Sequence, residues 1–402
     1  MKNNHKEQVS LWNRNLSLVV VAAFMQSIAF FMLMPIIAKY AMDRFEATAS
    51  MAGVVVSVYI ISALIVRPFS GYLADKYHRK RLYLLTFILF TLFCYGYTMA
   101  VTIPLLIMLR ILLGGTFSVM TTSGNTLAID FMPSARRGEG IGYMGAFTVL
   151  AMAVGPMLGL YLIESHSYDA VFVAAGSFAL IGVLCVTYVK NQHRPTLNHP
   201  PISLDRFVLK KGLSIALVML LLSFPYGTIM AYTPLFLQEF GLDVVAANFF
   251  LYFAIGVVIS RLVTGKLLNR GLHHTILVVA MPLIAVGFYI FAFANSNEIF
   301  PFCSVLLGLS YGSVMPSIQS MIINLAHHNR RGTANSTYYI ALDMGSGLGM
   351  LMGGTIAHLT SYQTLVLISI VIVSLTYTAY LLYIGGHYKK ILEKFVANPT
   401  KE

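Results

Sequence analysis

Residues 136–159 read RRGEGIGYMGAFTVLAMAVGPMLG, and residues 330–353 read RRGTANSTYYIALDMGSGLGMLMG. Both open on two arginines and a glycine, both run on into a long apolar segment, and they lie 194 positions apart. The same offset of 194 matches Arg67 with Arg261, Gly71 with Gly265 and Gly114 with Gly308. One constant offset held over several segments marks an internal duplication. Within the two quoted stretches Ala151, Gly155 and Gly159 align with Gly345, Gly349 and Gly353. Small residues every four positions share one helix face and let a neighbouring backbone come close, the small-xxx-small pattern of intramembrane packing. The two helices, the first of which also carries Pro156, are therefore expected to be close-packed and symmetry-equivalent, as static packing or as a sliding interface.

The composition says what kind of helices these are. The chain is 57% hydrophobic and 10% charged, with a mean hydropathy of +0.76, whereas a soluble domain averages about 45–50% apolar and about 25% charged residues. The apolar runs recur at roughly 20 residues, the length that crosses a bilayer core. Windows of that size predict helices near 16–40, 50–73, 82–100, 104–131, 139–162, 168–189, 211–237, 245–268, 275–294, 299–326, 333–358 and 363–385. The first follows Lys2, Lys6 and Arg14, is too long for a signal-peptide core and lacks a small-residue cleavage site, so it reads as an uncleaved span. Cys94, Cys185 and Cys303 lie in three separate runs with no CxxC spacing and read as packing residues.

The net charge of +12 does not point to nucleic acid, because the basic residues sit in short clusters between apolar runs. With the N-terminus inside, the inner segments hold 21 lysines and arginines and the outer ones hold 2, Lys39 and Arg44. That asymmetry predicts two cytoplasmic termini, and the acids Glu164, Asp169, Glu239, Asp243 and Glu298 near the outer loops agree with it. The one long connection carries Pro195, Pro200 and Pro201 and reads as a linker. The expected organisation is a bundle over residues 1–189, a cytoplasmic linker over 190–210, and a second bundle with a cytoplasmic tail over 211–402.

The segment Gly71-Tyr72-Leu73-Ala74-Asp75-Lys76-Tyr77-His78-Arg79-Lys80 is similar to the G-x-L-A-D-R-x-G-R-R loop signature of the major facilitator superfamily, with His78 where a glycine is usual. Arg110 followed by Gly114-Gly115 resembles the family's R-x-x-x-G segment, and Gly155-Pro156-Met157-Leu158-Gly159 resembles its antiporter motif G-P-x-x-G-G, with Leu160 in the last place. The resemblance covers nearly the whole chain and extends to the twelve-helix drug:proton antiporter branch. It implies an all-α membrane protein of two pseudo-symmetric six-helix bundles. The implied activity is secondary transport, namely export by alternating access, of a small organic molecule such as a drug-like amphiphile, a sugar derivative or a metallophore, driven by a proton gradient without a cofactor. A monomer in a bacterial cytoplasmic membrane is expected, with protons, substrate and lipid as its partners and no metal.

The same resemblance implies that Asp75 caps the start of the eleventh span and pairs with Arg79 and with Asp130, a conformational latch that includes Gly71. The offset of 194 maps Asp75, Arg79 and Asp130 onto Asn269, His273 and Asn324, so the second copy is neutral and the gate is predicted to be asymmetric. Asp343 lies about eleven residues into the eleventh span, where a carboxylate either pairs or takes up a proton. It is the candidate for proton coupling, or else a buried aspartate bonded to neighbouring hydroxyls. Arg110 lies too deep for a loop charge, so it faces a cavity or a partner or snorkels outward, and its repeat counterpart is Ser304.

In this family the cavity is lined by spans 1, 4, 7 and 10, with 2, 5, 8 and 11 in support. That nominates Gln26, Tyr59, Phe117, Asn125, Tyr226, Tyr232, Tyr252, Tyr311, Gln319 and Tyr338, with Arg110. The run Phe224-Pro225-Tyr226-Gly227 loosens the seventh span where a cavity can satisfy backbone groups. Glu139 and Glu164 read as interfacial, and His273-His274 and His327-His328 as solvated pairs lacking the spacing of a helical zinc site. Uptake or facilitated diffusion is the second reading. An intramembrane enzyme is disfavoured by the absence of an HExxH helix, an acid cluster or paired membrane aspartates.

Overall fold

The computed structural model describes residues 10–190, 207–239, 243–293 and 298–397. Among the described residues every regular element is helical: α1 Arg14–Leu33, α2 Ile36–Phe45, α3 Ala49–Lys76, α4 Arg79–Gly96, α5 Ile103–Phe131, α6 Arg137–Ser165, α7 Tyr168–Thr187, α8 Leu213–Glu239, α9 Asp243–Asn269, α10 His273–Phe293, α11 Ile299–Asn324, α12 Arg331–Leu359, α13 Tyr362–Ala379 and α14 Gly385–Ala397. Among the described residues twelve helical spans are long and apolar enough to cross a membrane. The expected first span, 16–40, is broken at Met34 and Pro35, because Pro35 has no N–H to continue the hydrogen-bond ladder. The helix of the last span runs through one π turn, Tyr380–Ile384, directly into α14, so it continues as a helix to Ala397, past the expected end at 385. Most of the expected linker, residues 191–206, lies outside the described residues.

The duplication is visible in how helices pair. In the first half α1 packs on α6 and α7, α3 on α5, and α4 on α5 and α7; in the second α8 packs on α12 and α13, α9 on α11, and α10 on α11 and α13. Even the caps repeat: Ser167 accepts from the Ala170 N–H at 3.2 Å and Ser361, 194 positions on, from the Thr364 N–H at 3.1 Å. Each cap satisfies an N–H group that a helix start otherwise leaves open.

The halves meet along two seams, α3 on α12 and α6 on α9, which are themselves repeat equivalents. Helix α3 shows why the bundle belongs in lipid. Ile61, Ile65 and Phe69, four apart on one face, are 54%, 63% and 51% exposed, whereas Ser62, Arg67 and Ser70 on the other are buried. Apolar residues face outward and polar ones inward, the arrangement demanded by a solvent that cannot hydrogen-bond.

Candidate functional site

Both described chain ends lie at one face. There Asn13 donates to the Phe131 carbonyl at 2.9 Å, the Lys190 N–H donates to Asn15 at 3.0 Å, and His327 packs on Phe395 at 4.5 Å between ring centroids. At this terminal face the last turn of α3 lies on the first turn of α12. Glycines permit it: a Cβ on Gly71 would lie 2.6 Å from the Ser336 Cβ, and one on Gly332 would lie 2.7 Å from the Gly71 carbonyl oxygen.

The close approach puts the Asp75 carboxylate on the open end of α12. Its Oδ1 accepts from the Gly332 N–H at 2.7 Å, and its Oδ2 accepts from the Thr333 N–H at 2.7 Å and the Thr333 hydroxyl at 2.8 Å. Arg79 donates through Nη2 to Asp75 at 3.0 Å and to the His328 carbonyl at 3.1 Å, and through Nη1 to Asp130 at 2.5 Å. Arg331 closes the group from the second half, donating to Asp130 at 3.1 Å. The Arg79 and Asp130 side chains are each 1% exposed, and a buried ionic cluster is tolerable where, as here, hydrogen bonds occupy its groups. Arg331 was not among the latch residues expected from sequence; its recurrence as the second arginine of both quoted stretches was the available signal.

The repeat copy is weaker. Asn269 accepts from the Glu139 N–H of α6 at 3.1 Å, while His273 lies 3.0 Å from the Ser320 hydroxyl and 3.5 Å from Asn324. His273 is therefore half-buried and bonded, not solvated as its sequence context suggested. Glu139 is buried and held by Arg136 at 2.8 and 2.9 Å.

Away from the terminal face the halves part around a cavity of about 290 Å³, whose walls include Gln26, Tyr59, Phe117, Asn125 and Asp343. Phe30 stacks on Phe117 at 4.6 Å and on Tyr59 at 5.4 Å, which gives the first-half wall a rigid aromatic surface. Gln26 accepts from the Tyr83 hydroxyl at 3.3 Å, and Asn125 donates to the Thr121 carbonyl at 2.9 Å. At the cavity floor Asp343 of α12 takes Nε and Nη2 of Arg67 of α3, both at 2.8 Å. Arg67 also donates to Thr121 at 2.6 Å and to the Ser118 carbonyl at 3.2 Å, and lies 4.8 Å over the Tyr339 ring. Its side chain is 4% exposed against 26% for Asp343, so the carboxylate faces the cavity. Arg67 is the largest omission of the sequence reading, which used it only to mark the repeat.

A second chamber of about 170 Å³ adjoins the first and is lined by Tyr226, Arg261, Gln319 and Tyr338. The chambers share Phe31, Asn125, Met144, Thr148, Tyr339 and Leu342. Gln319 donates to Asn335 at 3.1 Å, and Asn335 donates across the seam to Thr126 at 3.0 Å.

Other nominated residues lie elsewhere. Arg110 is 2% exposed and lines neither chamber. It donates to the Val55 and Val56 carbonyls at 3.1 and 3.3 Å and lies 4.6 Å over Tyr59, clamping α5 to α3, because a buried guanidinium takes the nearest carbonyl acceptors. Tyr311 is buried inside the second half, donating to the Leu222 carbonyl at 3.2 Å. Tyr232 donates to the Met350 carbonyl and lines a small side pocket with Tyr362, and Tyr252 lines neither chamber. The glycine faces pack inside their own halves. Gly155 and Gly159 lie on Phe31, Met32 and Ile36, Gly345 and Gly349 on Leu220 and Phe224, and Gly353 on Tyr232. The helix α8 runs unbroken through Pro225, with Gly227 against the Ser346 backbone.

A duplicated helical bundle whose halves touch at one face and part around a cavity between them is the architecture of a membrane transporter. The comparisons agree: the Major Facilitator Superfamily model matches residues 19–294 and 252–395, and the chain belongs to that superfamily. It is 25% identical over 336 residues to the multi-drug resistance efflux pump PmrA of Streptococcus pneumoniae, covering 79% of this chain and 82% of that one. It is 24% identical over 379 residues to the multidrug resistance protein MdtG of Yersinia enterocolitica, covering 90% and 91%. Among solved structures it superposes on the human organic anion transporter MFSD10 (TETRAN) with a TM-score of 0.79 at 14% identity, covering 91% and 98%. It also superposes on the transporter FucP in the outward conformation, with a TM-score of 0.73 at 16% identity, covering 90% and 97%. The protein is thus a multi-pass membrane transporter, not a member of an enzyme family.

Proposed function

We propose that the protein is a proton-coupled exporter of a small organic molecule, working by alternating access with both termini in the cytoplasm. The observation that carries the reading is the Arg67–Asp343 pair, which joins the halves at the floor of an open cavity just beyond a closed latch. The excess of basic residues on the terminal side supports a cytoplasmic assignment for it. The described state then faces outward. Relatives named as efflux pumps support the direction of transport.

The pair supplies a coupling mechanism. A proton entering the outer cavity reaches Asp343, whose carboxylate faces it, and removes the charge that holds Arg67 on the opposite half. The floor loosens, the latch parts, and the cavity opens to the cytoplasm, where Asp343 returns its proton and substrate enters. Re-formation of the ion pair then closes the inner face behind the cargo.

Moving one charge through 100 mV is worth about 2.3 kcal/mol, so removing the proton carrier removes the drive without removing the cavity. In proteoliposomes Asp343→Asn is expected to keep substrate exchange at equal concentrations and to lose accumulation driven by a pH gradient. Uphill transport by Asp343→Asn at the normal rate would place the proton elsewhere and return Asp343 to a structural role.

A further inference from the structure

The two chambers hold two buried arginines, Arg67 and Arg261, related by the repeat. Arg67 has Asp343. The residue 194 positions before Asp343 is Val149, and Val149 lines the chamber of Arg261. Where the duplication would place a carboxylate for the second arginine, the chain has an isopropyl group.

Arg261 is 8% exposed, its Nε has no hydrogen-bond partner, and among the described residues no carboxylate lies within ion-pair distance of it. The nearest acid on the facing helix, Glu139, is taken by Arg136. The guanidinium has nonetheless been given a seat. A Cβ on Gly145 would lie 2.5 Å from its Cζ and 2.6 and 2.8 Å from its two Nη atoms, so any side chain there would displace it. Around it stand Tyr226, Gln319, Tyr338 and Asn125, which offer hydroxyls and amides but no negative charge. A cation held at membrane depth without a counter-charge costs several kcal/mol or more, and a guanidinium fork matches an oxyanion bidentately.

We propose that Arg261 is the recognition point for an oxyanion on the transported molecule, a carboxylate, sulfonate or phosphate that sits where the repeat omits its aspartate. The adjoining larger chamber, walled by Phe30, Phe31, Tyr59 and Phe117, takes the apolar body. The cargo class is an anionic amphiphile. This assignment deepens the export reading and rests on it for the direction of movement, but the anion site itself does not depend on it.

The test uses one naphthyl body with different heads: naphthoate, naphthalenesulfonate, methyl naphthoate and naphthylmethylammonium, with binding to the purified full chain followed by ligand fluorescence. The two anions are expected to bind at least tenfold more tightly than the ester or the ammonium. Arg261→Gln is expected to abolish that preference. Val149→Asp supplies the missing counter-ion in place, and is expected to lose anion affinity by a similar factor while unfolding at or above the wild-type temperature. An ester or ammonium that binds as tightly as the anions, or anion affinity that survives both substitutions, overturns the proposal. Flux in proteoliposomes separates the two readings. Arg261-dependent binding without movement sinks transport of this class and keeps the site, whereas movement with no preference for anions sinks the site and keeps transport.

Discussion

Replacing Asp75 by asparagine is expected to open the terminal face far more than replacing Asn269 by alanine, although the two residues occupy equivalent places. The Asp75 carboxylate accepts two backbone N–H groups, one hydroxyl and one guanidinium. Hydrogen bonds to a charged group contribute about 1.5–3 kcal/mol each, and a carboxylate at a helix N-terminus adds about 0.3–2 kcal/mol. Asparagine keeps one oxygen and turns an amide N–H toward the remaining donors, and it leaves Arg79 sharing Asp130 with Arg331. Breaking a buried pair in this way costs about 3–5 kcal/mol. Even about 3 kcal/mol shifts the closed-to-open ratio on the order of a hundredfold. Asn269→Ala removes one neutral acceptor, about 0.5–1.5 kcal/mol, and should shift the ratio by less than about tenfold. A reporter cysteine at Thr126, which is fully buried and bonded across the seam, would be placed in a background with Cys94, Cys185 and Cys303 changed to serine. Its alkylation rate from the terminal side measures the open fraction. Equal acceleration by the two substitutions would refute the asymmetry.

Two further expectations concern residues whose roles the structure reassigns. Arg110→Ala removes two carbonyl contacts and a ring contact inside one half, so it should lower thermal stability by about 2–4 kcal/mol and leave the ligand affinity of the folded fraction unchanged; weakened binding at unchanged stability would return it to the cavity. Gly349→Ala drives a Cβ into the Phe224 carbonyl oxygen and should destabilise by about 1–3 kcal/mol, whereas Gly347, with nothing within 4 Å of its Cβ position, should accept alanine without loss; thermal unfolding in detergent separates the two.

Much of the fold was legible because lipid imposes a length and a polarity on every span, and because the duplication repeats even its caps. Azimuth was the missing coordinate. Position within an apolar run places a residue at a depth in the membrane, but Arg67 and Arg110 are both buried arginines in apolar runs, and nothing in their immediate sequence says that one faces the cavity and the other its neighbour's backbone. The same ambiguity divides the aromatic residues, with Tyr59 and Phe117 on the cavity wall and Tyr311 inside a half. Long-range pairing was equally hidden, since Arg67 and Asp343 are 276 positions apart. The repeat held a usable hint: arginine recurs at Arg261 but not at Ser304, so the charge preserved in both copies was the one at the cavity.

The two seams divide the chemistry between them. Along α3 and α12 the charges are paired, with Asp75 on a helix start and Asp343 on Arg67. Along α6 and α9 the equivalent groups are Asn269 and Val149, and among the described residues Arg261 has no counter-charge. A symmetric protein would close both seams with the same energy and leave nothing for proton and cargo to control separately. In the proposed cycle a proton on Asp343 weakens one seam, and under the anion-site proposal a bound anion on Arg261 completes the other. In that scheme each ligand acts on a different side of the same rocking motion. Two ligands that bias one equilibrium between two states are coupled by necessity, to the extent that each binds the states unequally, and the substitutions that distinguish the two copies of the repeat are the ones that create that inequality.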